Sequence, residues 1–359
     1  MKRFTIMAVS IAALLFSPVI ANAKEGVINS KGEWIVAPTS EEVKDTGGLY
    51  AATLGDSPAN QSWGFINQRG KWVIKPQFSY VGSFAANGLA PAAQNLKYGY
   101  INKKGQWVIK PQFDYAADFS ANGLAEARIK GNTEYGKIGY INGKGHWVIK
   151  PQFHPIEQEK SMVVDRSFSA NGLAWAYKDG KVGFINTKGQ WAIKSQFTYA
   201  SSFSAEGLAV ADQNGKLGYM DGKASWVIKP QFEQANKFVN GIAKVMINGK
   251  VAYINKNGKI LLKTAYTDAG DFHQGLAWIL SNGKVGYIDT KGKLVIKPSF
   301  EPDYGMDTRA GDFQSNGLAP ALLNGKWGFI NKKGVWVMKP QFAWVRSISP
   351  AGFAVVGVQ

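Results

Sequence analysis

The sequence predicts an all-β fold, an array of nine three-stranded antiparallel meander repeats. Three observations carry that prediction. The stretch Gly99-Tyr100-Ile101-Asn102-Lys103-Lys104-Gly105-Gln106-Trp107-Val108-Ile109-Lys110-Pro111-Gln112-Phe113 returns in recognisable form nine times between Gly26 and Phe342. Every copy places turn residues between two β-prone runs. The copies follow one another at about 35 residues, a spacing that belongs to repeat architectures.

In chain order, Met1 to Ala23 stands apart. Lys2 and Arg3 open it, Ile6 to Phe16 is a short apolar run, and Ala21-Asn22-Ala23 supplies small residues at cleavage positions. That is the pattern of a secretory signal peptide cut after Ala23, and the apolar run is too short to span a bilayer. Residues 24–359 then form a single repeat domain, located in the periplasm of a bacterium or secreted. The chain contains no cysteine, which excludes disulfides, thiolate metal sites and cysteine nucleophiles. Hydrophobic residues make up 45% and aromatics 13%, so the array has ample material for a core. Net charge is +17, and +15 once Lys2 and Arg3 are removed. An excess of that size favours anionic partners, although solubility explains it equally well.

Within one unit, Gly99-Tyr100-Ile101 is a short strand and Asn102 to Gly105 a turn. Asn or Asp opens this turn in all nine copies, and Gly closes it in eight, Ala224 being the exception. That pattern suits a type I turn whose last residue needs positive φ. Trp107-Val108-Ile109-Lys110 is the returning strand, and Pro111, which has no N–H to donate, is expected to end it. A loop with two aromatics such as Phe113 and Phe119 leads to a third strand at Gly123-Leu124-Ala125. Hairpin signals such as Asn214-Gly215 and Asn282-Gly283 join that strand to the next unit.

Packing of the units follows from two further features. Trp-Val-Ile is a continuous apolar run, so both faces of the returning strand are expected to be covered. The array also begins with a hairpin at Gly26 and ends with a lone third strand, Gly352 to Val358. That last strand can complete the first unit, so a closed propeller-like ring is favoured; an open β-solenoid is the alternative.

Three motifs recur through these copies: Asn-Gly-Lys-x-Gly-Tyr-Ile-Asn, Gly-x-Trp-Val-Ile-x-Pro and Phe-x-x-x-Gly-Leu-Ala. They resemble the WG-repeat (KWG-repeat) family of bacterial proteins over almost the whole chain after residue 23. Literal Trp-Gly occurs only at Trp63-Gly64 and Trp327-Gly328, with Tyr98, Ile138, Val182, Leu217, Val251 and Val285 elsewhere. The resemblance implies an extracytoplasmic β-repeat module that mediates interactions, and it hands over no catalytic residues.

Catalytic and metal chemistry find little support. His146, His154 and His273 fall in unrelated registers, a poor basis for a triad or a metal site. No phosphate-binding loop or HExxH spacing is present. Asp118, Asp271 and Asp312 share a register, where capping a loop explains them better than a paired-carboxylate site. The reading is therefore of a protein with no catalytic residues, no cofactor and no metal.

Two repeated features remain as binding candidates. Lys75, Lys110, Lys150, Lys194, Lys229, Lys263, Lys297 and Lys339 occupy one position of the unit, and a second set recurs at Lys97, Lys137, Lys181, Lys216, Lys250, Lys284 and Lys326. Identical positions in an array become rows in space, and a row of cations can hold a polyanion through many weak contacts. The alternative is that these lysines blunt exposed strand ends. The tryptophans at 34, 72, 107, 147, 191, 226 and 336 read as core, because Ile260 and Leu294 replace them. Trp175, Trp278 and Trp344 lie off that register and are the better candidates for exposed contacts. The expected function is an exported, non-catalytic module binding an anionic polymer or a protein at the cell envelope. Lipopolysaccharide, acidic polysaccharide and extracellular nucleic acid are the candidate anions. A structural scaffold with incidental charge is the alternative.

Overall fold

The computed structural model describes residues 24–40, 42–46, 48–54, 62–130, 136–155, 166–304, 310–348 and 353–358. The expected leader, residues 1–23, lies outside the described residues. Nine antiparallel sheets account for the whole of the described secondary structure. Each is built from the third strand of one sequence copy and the hairpin of the next, as in Ala125–Ile129, Lys137–Ile141 and Trp147–Phe153.

The first and last strands share a sheet. Ala354–Val358 pairs antiparallel with Lys24–Ile28, from Lys24↔Val358 to Ile28↔Ala354. Trp34–Ser40 and Trp344–Ile348 flank that pair, giving the strand order of blade 1. The molecule is therefore a closed nine-bladed β-propeller, and the open solenoid is set aside. Blades 2 to 9 follow in chain order, ending on the strands Trp72–Phe78, Trp107–Phe113, Trp147–Phe153, Trp191–Phe197, Trp226–Phe232, Ile260–Lys263, Leu294–Phe300 and Trp336–Phe342.

Local turn chemistry sets the hairpins. The Asn102 side-chain oxygen accepts the N–H groups of Lys104 (2.9 Å) and Gln106 (3.1 Å), while Gly105 closes the turn at φ 77°. The Asn214-Gly215 hairpin holds both residues at positive φ, 51° and 75°, which matches the right-handed twist of its strands. Several blades carry a fourth, two-residue strand such as Tyr80–Val81 or Tyr115–Ala116. It is the chain crossing to the next blade and bonding briefly along its free edge.

The returning strand differs from expectation in two respects. It runs past Pro111 to Phe113. Ile109 pairs with Tyr100 and Phe113 with Tyr98, so four steps on this strand face two on its neighbour. The surplus residues bulge, and Pro111 sits inside the bulge where no ladder donor is required. Gly99 lies under that bulge; a Cβ there would strike the Ile109 carbonyl oxygen and the Pro111 nitrogen. Blade 7 supplies the internal control. Thr264 replaces the proline, Ala252 replaces the glycine, and pairing proceeds step for step as Tyr253↔Leu262 and Ala252↔Lys263. The second difference is coverage. Ile109 is buried but Val108 is 51% exposed, so this strand is an edge with one open face.

Blade-to-blade contacts repeat around the ring. The phenylalanine ending one blade meets the tryptophan opening the returning strand of the next, edge to face: Phe78–Trp107 and Phe113–Trp147 at 5.5 Å, Phe300–Trp336 at 5.4 Å. Phe342–Trp34 at 6.3 Å makes the same contact across the closure. Trp107 is thus half-buried rather than core, since one phenylalanine covers it and solvent reaches the rest. A second tie uses tyrosine. The hydroxyls of Tyr100, Tyr219, Tyr253 and Tyr287 donate to the carbonyls of Ala117, Asn236, Gly270 and Gly311 in the following blades, at 2.6–2.8 Å.

Closest approach between blades locates the axis. Ser83 N–H donates to the Asp118 carboxylate (3.0 Å), Asn236 to Asp271 (3.0 Å) and Lys237 to the Ser202 hydroxyl (2.7 Å), each pair one repeat apart. In a ring, corresponding residues converge toward the centre, so these loops form the inner rim. The returning strands lie on the opposite sheet edge and form the outer rim.

Two outcomes are expected. Gly99→Ala forces the bulge apart and destabilises by about 2 kcal/mol or more, whereas Ala252→Gly costs about 1 kcal/mol; denaturant unfolding of both variants checks the order. Burial first, with nearby acidic side chains second, pushes the phenols of Tyr100, Tyr219 and Tyr287 far above the usual value of 10.0. These groups stay protonated when folded but ionise when unfolded, so their contribution is intact below pH 10.0 and stability falls as pH rises beyond it. Absorbance titration at 295 nm should show these phenols ionising only together with unfolding.

Candidate ligand-binding surface

The eight lysines of the repeated register sit on the outer-rim strands of blades 2 to 9, one per blade. Lys75, Lys110, Lys150, Lys194, Lys229, Lys263, Lys297 and Lys339 are all exposed. Alternation along the strand puts Val108, Lys110 and Gln112 on the same open face, with Ile109 and Phe113 inward. None of the eight forms a side-chain ion pair among the described residues, so each presents a full charge to solvent. The second set is partly neutralised: Lys97 lies 2.6 Å from Asp114, and Lys284 lies 3.9 Å from Glu301.

The same strands carry features of a guarded edge. A bulge, a proline and an outward lysine each discourage another strand from adding to a sheet. Edge protection and anion binding therefore draw on one arrangement.

Aromatic candidates change places. Trp175 and Trp278 are 6% and 4% exposed, and the Trp175 ring N–H donates to the Ala200 carbonyl of the next blade (3.0 Å). Trp344 is half-buried and donates to Glu25 (3.0 Å). Off-register tryptophans thus sit at junctions between blades, Trp175 and Trp278 at a position filled elsewhere by residues as different as Pro91, Glu126, Val210 and Lys244. Among the tryptophans, the exposed ones belong instead to the repeated register, with Trp34 42% and Trp72 38% exposed.

The inner rim gathers the acidic register. Asp118 caps the Ser83 N–H of the preceding blade, and Asp271 accepts from Asn236. Asp312 lies 3.5 Å from His273, and burial, reinforced by Asp271, raises its carboxyl above the usual range against the pull of His273 and Lys244. His146 and His273 are far apart in blade order, and among the described residues no group of three His, Asp or Glu side chains could hold a metal ion. No helix among them is long and apolar enough to cross a membrane.

The backbone picks out Ala224, the exception already visible in the repeat, and adds Leu96, which the repeat reading did not single out. Leu96 (φ 61°) and Ala224 (φ 62°) occupy left-handed positions that the equivalent turns give to glycine. A branched or β-carbon-bearing residue held there is strained. The sequence signal for both is a missing glycine, visible only against the other copies.

Comparison with known proteins fixes the lineage. The family model of the WG containing repeat matches residues 26–56, 63–97, 98–132, 138–157, 183–216, 218–250, 252–284, 286–327 and 327–358. The chain belongs to the WG-repeat family. No curated protein matches it. Among solved structures, this WG-repeat chain is similar to a eukaryotic initiation factor at 11% identity and TM-score 0.54, covering 81% of this chain and 85% of that one. It also matches dihydro-heme d1 dehydrogenase NirN (11% identity, TM-score 0.48, 87% and 76% covered) and apo AztD from Citrobacter koseri (12%, 0.39, 76% and 91%). The first supports the fold and nothing further.

Leu96 is 88% exposed and makes its strain easy to relieve. Leu96→Gly should raise stability by about 1 kcal/mol, read as a higher midpoint in denaturant with unchanged slope.

Proposed function

We propose that this WG-repeat propeller is an exported, non-catalytic binding module whose outer lysine row holds an anionic polymer at the cell envelope. One observation carries the reading: a lysine recurs at the same outer-rim position in eight of nine blades, exposed in each and in no side-chain ion pair among the described residues. A row of equally spaced cations suits a ligand that is itself a row of anions, because each contact adds little and the array adds up. The basic composition works in the same direction, drawing anions in before contact.

A second reading has its own support. The lysine stands beside a bulge and a proline on an edge strand, where it serves to keep sheets from adding to one another. The module is then a structural or protein-interaction scaffold whose charge is incidental.

Salt separates the two. Polyanion binding through the row weakens steeply between low and high salt, and exchanging Lys110, Lys150, Lys194 and Lys229 together for Gln should weaken it at least ten-fold and flatten the salt slope. Circular dichroism should be unchanged, since all four side chains are exposed. Retention of an envelope polyanion by this variant at wild-type strength would leave the scaffold reading in place.

A further inference from the structure

Between blades 5 and 6 a groove of about 430 Å³ opens on the surface. Its size falls within the roughly 300–1,000 Å³ of small-molecule sites. Trp226 forms an aromatic wall, backed edge-on by Phe197 at 6.2 Å. Lys181, Gln196, Thr198, Asp212 and Asn214 supply the polar lining. Asp212 is fixed by two bonds, accepting the Tyr199 N–H at 2.8 Å and the Thr198 hydroxyl.

Departures from the repeat converge here. The position of Asp212, opposite Leu217, is filled by Ala93, Arg128, Tyr177, Met246, Leu280 and Leu322 in other blades, so among these only blade 6 supplies a carboxylate. Ala224 is the second departure. At the equivalent glycines 105, 145, 189 and 334, a methyl would lie 2.7–2.9 Å from an isoleucine of the preceding blade. Ala224 carries that methyl and packs on the cluster containing Ile193 of blade 5. The groove lies at the junction where this extra carbon packs. Among the nine turns, only this one closes on a non-glycine residue at positive φ.

An aromatic wall, a fixed carboxylate with amides and hydroxyl, and one cation fit a ligand with an apolar ring face, several hydroxyls and one negative charge. We propose that the blade 5–6 groove binds a hexuronate unit of an acidic polysaccharide. Trp226 meets the sugar ring, Asp212 with Gln196 and Asn214 takes its hydroxyls, and Lys181 pairs with its carboxylate. This rests on the polyanion reading and sharpens it, since the groove gives the lysine row a register on the polymer.

Trimers of galacturonate, glucuronate and mannuronate, with their methyl esters, test the inference by calorimetric titration. At least one acid trimer should bind, and its ester should bind at least ten-fold more weakly. Trp226→Leu installs the side chain that blade 8 carries at Leu294, and Asp212→Leu installs that of Leu280. Each should weaken binding at least ten-fold while thermal unfolding stays cooperative. Ala224→Gly should weaken binding while raising the unfolding midpoint, a combination that a merely structural methyl would not produce. Absence of binding for all three acids, equal binding of the esters, or wild-type affinity in Trp226→Leu and Asp212→Leu overturns the proposal. The trimers span one groove and the Gln-substituted lysine-row variant keeps every groove residue. Loss of polymer retention with trimer binding intact therefore speaks to the row, and loss of trimer binding alone speaks to the groove.

Discussion

The pairing of Lys24–Ile28 with Ala354–Val358 is the constraint on which the remaining structure depends. Without it, blade 1 would be two unrelated hairpins at opposite ends of the chain, and two sheet faces would stand open. Closing a loop of such length costs entropy that grows only slowly with chain length, and the joint recovers it through several independent contacts. Val27, Ile28, Ala354, Val355 and Val356 are buried there. Glu25 is buried as well, yet its carboxylate accepts the Val43 N–H (2.8 Å) and the Trp344 ring N–H (3.0 Å). That one side chain binds together the first strand, the start of blade 2 and the last blade edge. A buried carboxylate is tolerable only when so partnered.

Closure also dictates that every junction be nearly the same. Nine blades must turn through equal angles or the ends will not meet. The edge-to-face Phe–Trp contact recurs on the outside and the tyrosine hydroxyl to carbonyl bond further in. Phe65, Phe184 and Phe329 take the tyrosine position without a hydroxyl, and their junctions keep the Phe–Trp contact. Where the tryptophan is absent, at Ile260 and Leu294, the tyrosines of the same junctions, Tyr219 and Tyr253, still make their bonds. The ring therefore accommodates local loss at one point while the other holds.

How much of this was legible in the sequence depends on whether the cause was local. Asn102 and Gly105 announce their turn because the hydrogen bonds that make it lie within five residues. Ring closure was legible from the ends, since a hairpin at Gly26 and a lone strand at Gly352 are complementary halves. The bulge under Pro111 was not, because it arises between strands: Gly99 and Pro111 are separated by a turn, and only their contact explains both. The paired exchange to Ala252 and Thr264 in blade 7 held that information. Tryptophan burial misled for a related reason. Whether Trp107 or Trp175 faces solvent depends on which blade lies across from it, and strand periodicity describes only the blade it belongs to.

The same logic separates two kinds of binding information in a repeat protein. A feature present in nearly every copy, such as the outer lysine row in eight of nine blades, presents one chemistry around most of the rim and gives avidity with little preference for a point of contact. A feature present once, such as Asp212 beside Ala224, breaks the symmetry and gives a position. Specificity is a difference of affinities, and a ring of identical units offers no difference between one alignment of a polymer and the next. The departure has to be stable enough to survive at a junction that closure constrains, which limits it to changes as small as one methyl or one carboxylate. The strain at Ala224 is of that order, about 1–2 kcal/mol for a left-handed non-glycine residue, small enough for the other eight junctions to hold the ring closed around it.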